Sequence, residues 1–160
     1  MKFLINPKIV NNCGLVTFVL FMNQYGVLYH YAGSVVISSS LGVILFHNQH
    51  TFNPPYVVSN NTWNKKDSGL KGSSFIQIPK YLKYFTMGIE YHHIHHMNAS
   101  IPGYHLQGIH EGVCQTSNEF DTITILSMKD CYHNLWLALY DEDKDRYISC
   151  KEADVIIKYT

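Results

Sequence analysis

The chain has 160 residues, and its 12 basic side chains balance its 12 acidic side chains, so its formal net charge is zero. This length allows one domain at most, and a neutral chain has no electrostatic attraction to nucleic acid. We therefore expect one partial domain over residues 1–160 and no nucleic-acid partner.

Charged residues are absent from one long segment near the start of the chain. Between Lys8 and Lys65 there are 56 residues without a single Asp, Glu, Lys or Arg. About one residue in four of a soluble domain is charged, so this gap indicates a lipid environment. A membrane span needs about 20 mainly apolar residues, and we predict two transmembrane helices within residues 9–49. A buried hairpin of a soluble protein is the alternative.

Lysines flank the uncharged segment on both sides. Lys2 and Lys8 precede it, and Lys65, Lys66 and Lys71 follow it. The positive-inside rule then places both ends in the cytoplasm. We predict a multi-pass membrane protein with both termini cytoplasmic. A secretory signal peptide is the weaker alternative, because no small-residue cleavage motif follows the apolar run.

The remainder of the chain is polar and interrupted by helix breakers. We predict a connecting loop over residues 50–78, because proline and glycine recur there. Apolar residues at helical spacing predict a helix over residues 79–97, and a cytoplasmic C-terminal tail follows at 98–160. Residues 127–140 are ambiguous between helix and strand, with helix favoured. The expected fold class is all-α, a membrane helical hairpin followed by a cytoplasmic helical segment.

A dense histidine cluster lies near the end of the predicted cytoplasmic helix. Four of the five residues from His92 to His96 are histidine. On a helix, His92, His95 and His96 stand at positions i, i+3 and i+4, so their rings can converge, whereas His93 points elsewhere. Convergent neutral imidazoles favour borderline-soft metal ions. The alternative is a solvated histidine run with incidental metal affinity.

The sequence around the cluster resembles the third histidine box of membrane fatty acid desaturases of the acyl-lipid type. The segments that carry this resemblance are Leu41–Phe52 with its Gln-His-x-Phe element, Gly72–Lys80, Phe85–Thr86, Tyr91–Gln107 and Leu135–Asp143. Most of the chain is thus similar to the C-terminal half of such a desaturase.

The resemblance implies a di-iron site that is ligated almost wholly by histidines and activates oxygen. By motif, His92, His95 and His96 correspond to metal ligands, and His50 in the Gln-His element is a further candidate. Such an enzyme introduces a double bond into membrane lipid acyl chains and takes electrons from a ferredoxin or cytochrome-type donor. The resemblance therefore implies an oxidoreductase of lipid metabolism.

The chain departs from the desaturase pattern in its missing motifs. The first two histidine boxes, of the types H-D-x-x-H and H-x-x-H-H, are absent from these residues. Glu90 and Ser100 stand where related sequences usually have a small residue and an arginine. We expect the chain to be inactive alone, because an incomplete set of ligands orients iron poorly. A complementary chain could supply the missing boxes, and the alternative is a non-catalytic membrane remnant or partner subunit.

An acidic segment offers a competing calcium motif. Asp141–Glu152 has carboxylates at positions 1, 3, 5 and 12 of an EF-hand loop. Position 6 requires glycine for a sharp turn, and Arg146 occupies it. Calcium binding by this segment is therefore the less favoured alternative.

Overall fold

The structure is a computed structural model, which describes residues 7–159. Its chain divides into two compact units, one up to Val43 and one from Ile44 onward. The predicted cytoplasmic position of Lys2 lies outside the described residues.

The first unit consists of helices from the uncharged segment. Helix α1 (Pro7–Gln24) is followed by a short turn and by α2 (Leu28–His50), which ends in the second unit. Gly26 in the turn has a φ of 68°, a conformation that glycine adopts at little cost. The rings of Phe18 and Tyr31 contact each other edge to face, with centroids 5.2 Å apart.

Among the described residues, one helix is long and apolar enough to cross a membrane. This helix is α2, which has 23 residues and a mean hydropathy of 1.4 over its most apolar window. None of the residues in that window is buried within the protein. The second predicted span thus corresponds to a suitable helix. The first corresponds to α1, an 18-residue helix that does not reach this apolarity.

The second unit combines short helices with two small sheets. Its remaining elements are α3 (Lys65–Lys71), β1 (Ser74–Ile76), α4 (Lys83–Thr86), α5 (His92–Met97), α6 (Gly103–Thr116), β2 (Thr124–Leu126), α7 (Met128–Asn134), β3 (Leu137–Asp141), β4 (Arg146–Ser149) and α8 (Cys150–Tyr159). β1 pairs with β2 in parallel, and β3 pairs with β4 antiparallel. The predicted all-α class is therefore wrong in part, because strands form within the segments expected to be loop and tail.

Two apolar clusters form the core of the second unit. The larger packs α3, α5 and α6 around Tyr91, Ile94 and Leu106, with Phe120 and Ile123 from the following loop. The smaller cluster consists of Phe52, Ile76, Leu126 and Cys131, beside the parallel strand pair. The larger cluster buries one side of α5 and so holds the histidine-rich helix against α6.

The predicted helix over residues 79–97 is interrupted. It forms α4 and α5, and the residues between them include Met87 and Gly88 with φ of 53° and 86°. A Cβ atom on Gly88 would lie 2.2 Å from the carbonyl oxygen of Gly103. The chain therefore turns at residues where helical periodicity predicted one continuous helix. At this turn the backbone of Gly88 lies so close to the start of α6 that a side chain would not fit. Similarly, the expected helix at 127–140 is α7 followed by β3.

Gly88→Ala should destabilise the protein strongly, by about 2–4 kcal/mol, through the positive φ and the clash with Gly103. Gly108→Ala is the matched control, because a Cβ there meets nothing within 4 Å. In the middle of α6 it should be neutral or stabilising by up to about 1 kcal/mol. Thermal unfolding of both variants in detergent micelles compares them. Equal melting temperatures would contradict this account of the interruption.

Candidate metal centre

Three histidine rings from two distant segments meet in the second unit. The Nε2 atoms of His50 and His92 are 2.9 Å apart, and those of His92 and His96 are 3.0 Å apart. The Nε2 atoms of His50 and His96 are separated by 3.3 Å. Each ring thus directs the same nitrogen at the other two, and together they form a three-ligand group that could hold a metal ion.

This spacing fits imidazoles that share one ion. Two nitrogen ligands about 2.1 Å from a metal, at a right angle to each other, lie about 3 Å apart. Nδ1 of His50 lies 3.1 Å from the carbonyl oxygen of Gly72, which can only accept a hydrogen bond. In the neutral ring, Nε2 then carries the lone pair and faces the other two histidines. Three imidazole nitrogens suit a borderline divalent cation such as iron or zinc.

Local hydrogen bonds place His50 at this point. His50 is the last residue of α2, and the two residues before it are almost completely buried. The side chain of Gln49 donates to the carbonyl oxygen of Ile89 at 2.7 Å, just before α5. Ser74 of β1 donates through its hydroxyl to the carbonyl oxygen of Asn48 at 3.1 Å. These bonds hold the end of α2 against the segments around α5.

The other two ligand candidates come from one helix turn. His92 and His96 stand at positions i and i+4 of α5, so their rings lie on the same face. Burial, followed by the neighbouring rings of His96 and His50, lowers the pKa of His92 to about 3. Burial also lowers the pKa of His96, with smaller contributions from His50 and His95. Both rings therefore stay neutral at physiological pH, which is the form that binds a metal.

The fourth predicted ligand, His95, lies beside this group. Its ring stacks on that of His92 with centroids 5.5 Å apart. It lines the same surface pocket as the three converging histidines, together with Phe46 and Ala99. The structure thus brings together His50, His92 and His96, and it leaves His95 at the margin of the pocket.

Sequence reasoning missed the contacts that support these ligands. The Gly72 carbonyl, which fixes the His50 ring, lies in a stretch that was expected to be loop. Gln49 could have been noticed, because a glutamine at the end of an apolar helix must find a hydrogen-bond partner when it is buried. His93 was not predicted to be a ligand. It is fully buried and contacts His110 instead.

The acidic segment does not form an EF-hand. Asp141–Glu152 consists of the β3–β4 turn, strand β4 and the start of α8, in place of a helix–loop–helix unit. The side chain of Asp141 accepts hydrogen bonds from the backbone of Asp143 and Lys144 at 3.1 Å, as in an Asx turn. Arg146 pairs with Glu152, the residue that would be the bidentate calcium ligand. The segment therefore lacks both the entering helix and the unpaired Glu152 carboxylate on which the EF-hand alternative depends.

The chain thus has a helix suited to a membrane and a histidine-lined site suited to a metal, which fits a membrane-associated metalloprotein. Over 114 residues, or 71% of the chain, it is 35% identical to the fatty acid desaturase of Bacillus subtilis (strain 168). The chain spans about a third of that protein's length, 31%. This similarity relates the chain to the fatty acid desaturases. No protein-family model and no solved structure matches it.

Replacing either α5 ligand should abolish tight metal binding. We expect His92→Ala and His96→Ala to weaken Co²⁺ binding by more than about 100-fold, beyond the effect of residues that only support a ligand. The visible absorption of Co²⁺ titrated into the purified chain measures this. His105→Ala, which removes an exposed histidine of α6, is the control and should bind like the wild type. Equal affinities in all three variants would rule out this site.

Acid should destabilise the metal-free chain through its buried histidines. Burial is the main cause that lowers the pKa of both His92 and His93 from 6.5 to about 3. Below pH 6.5 the unfolded chain gains protons on these rings and the folded chain does not. The free energy of unfolding should therefore decrease as the pH is lowered from 6.5 to 3. Denaturant unfolding at several pH values measures the slope. His92→Leu should flatten it, and an unchanged slope would contradict the pKa assignment.

Proposed function

We propose that this chain is the C-terminal part of a membrane fatty acyl desaturase and provides part of its iron site. The observation that carries the proposal is the convergence of His50, His92 and His96 in a chain similar to a bacterial fatty acid desaturase. A solvated histidine run would not bring rings from α2 and α5 within 3.3 Å of each other.

The three converging residues would hold one iron through neutral nitrogens, and His95 at the pocket margin would complete the set of ligands. A second iron, as in a di-iron site, would need histidines of the first two boxes. A complementary chain or segment would supply them. On this proposal the chain alone does not desaturate lipids.

Bound iron would supply the oxygen activation needed to remove two hydrogens from adjacent methylenes of an acyl chain. The protein's contribution is to hold and shield the site. His92 is buried, so solvent has little access to its ring, and Phe46 lines the same pocket. An aromatic side chain beside neutral ligands would suit the approach of a lipid acyl chain. Two electrons would come from a ferredoxin or cytochrome-type donor.

The proposed location is a membrane, with α1 and α2 as two spans and both termini in the cytoplasm. The exposed apolar surface of α2 supports this: Val36 and Ile37 are 65% and 63% exposed. A water-soluble helix rarely presents such a surface around its whole circumference. The absence of charged residues from positions 9–64 supports the same placement for α1.

A chimera tests the proposed activity. The segment of the Bacillus subtilis desaturase that aligns with this chain is replaced by the corresponding residues of this chain, and the chimera is expressed in cells lacking the native enzyme. We expect unsaturated acyl chains in the membrane lipids, measured by gas chromatography of fatty acid methyl esters. The remaining two thirds of the enzyme would provide the missing histidine boxes.

Two variants of the chimera control for folding and for ligand loss. His96→Ala should abolish the unsaturated product, and His105→Ala should retain it at the level of the unmodified chimera. A chimera that accumulates in the membrane and binds iron but produces no unsaturated lipid would contradict the proposed activity. That result would favour the alternative of a non-catalytic remnant or partner.

A further inference from the structure

A second pair of histidines lies behind the metal centre and takes no part in it. His93 on α5 is 0% exposed, and its Nε2 lies 3.1 Å from Nδ1 of His110 on α6. His93 follows His92 in sequence, so its side chain projects about 100° further around the helix axis. The pair therefore joins the back of the ligand-bearing helix to its neighbour α6.

Aromatic rings fix His110 in place. Its ring stacks against Phe75 of β1 and against Phe120, with centroids 5.1 and 5.4 Å away and interplanar angles of 30° and 12°. Phe120 also contacts the ring of His93 edge to face at 4.8 Å. These stacking contacts restrict the rotation of the ring, so Nδ1 of His110 presents a defined hydrogen-bonding position to α5.

The helix that this contact meets is short. α5 has six residues, and its N-cap, Tyr91, makes no side-chain capping bond. Ile94 packs α5 into the larger core cluster. Apolar contacts have no preferred direction, so they determine how deeply α5 is buried better than its rotation about its own axis. A hydrogen bond weakens steeply when its angle changes. The His93–His110 bond is thus suited to set the rotation of α5 about its own axis.

The surrounding atoms also determine which nitrogen carries the hydrogen. Nδ1 of His93 is buried and has no partner among the described residues. A buried N–H without a partner leaves a donor unsatisfied, so the proton of His93 belongs on Nε2, which donates to Nδ1 of His110. His110 then carries its own proton on Nε2, 3.6 Å from the sulfur of Cys114.

We propose that His93 and His110 are positioning residues, whose hydrogen bond sets the rotation of α5 and so directs His92 and His96 toward His50. This inference rests on the proposed metal site, and it assigns a role to two histidines outside that site. Neither residue would contact the metal or the substrate. Loss of the bond would misalign ligands that are otherwise intact.

Two substitutions of His110 separate the hydrogen bond from the packing. His110→Phe keeps a ring that can stack against Phe75 and Phe120 but removes the acceptor. His110→Asn loses the ring but places its Oδ1 near the position of Nδ1. His105→Phe, at an exposed position of the same helix, controls for the added aromatic surface. Co²⁺ affinity and the melting temperature are measured for the full chain in detergent micelles.

We expect His110→Phe to melt near the wild type and to bind Co²⁺ about 10-fold more weakly, in the range for residues that support a ligand. His110→Asn should melt lower yet bind more tightly than His110→Phe. The reverse order of affinities, or wild-type affinity in His110→Phe, would overturn the positioning role. If the wild type binds no Co²⁺, the metal site fails and this role fails with it.

Nitrogen-15 chemical shifts of the imidazole rings test the pair in the unsubstituted chain, so the inference does not depend on the folding of any variant. The expected result is a proton on Nε2 of both His93 and His110. A proton on Nδ1 of His93 would overturn the proposed hydrogen bond even if the metal site itself is correct.

Discussion

The convergence of His50 with His92 and His96 is the constraint on which the candidate site depends. His50 is 42 residues before His92 in sequence, yet their Nε2 atoms are 2.9 Å apart. Placing three polar rings this close together, with His92 buried among them, is costly unless something replaces their water. The shared cation that we propose would do so, and it would also account for the Gly72 carbonyl holding the His50 ring with its Nε2 turned inward.

The surrounding fold supports the position at which the three histidines converge. Buried polar bonds from Gln49 and Ser74 secure the end of α2, where an apolar core alone would leave its position loosely specified. The other contributing helix, α5, is short and is held by its neighbours. Gly88 allows the chain to turn into it, and Ile94 anchors it in the core. The ligands thus lie on elements that depend on tertiary contacts more than on helix propensity.

The sequence predicted that His92 and His96 share one helix face, but it did not predict the contacts around them. Histidines at i and i+4 determine the convergence of His92 and His96 through local helix geometry. His50 was found only through resemblance, because no periodicity links residues so far apart. The break at Gly88 was missed because its cause is a close approach to Gly103, a contact distant in sequence. Strands β1 and β2 were missed for the same reason, since they pair across about 50 residues.

X-ray absorption at the iron edge of the chain loaded anaerobically with Fe²⁺ tests the central claim most directly. Our account predicts a first shell of nitrogen and oxygen at about 2.1 Å, with the outer-shell scattering of roughly three to four imidazole rings. If His50→Ala reduces that imidazole scattering, the scattering arises from the site formed by His50, His92 and His96. A spectrum with oxygen ligands alone, or one that is unchanged in His50→Ala, would contradict the account.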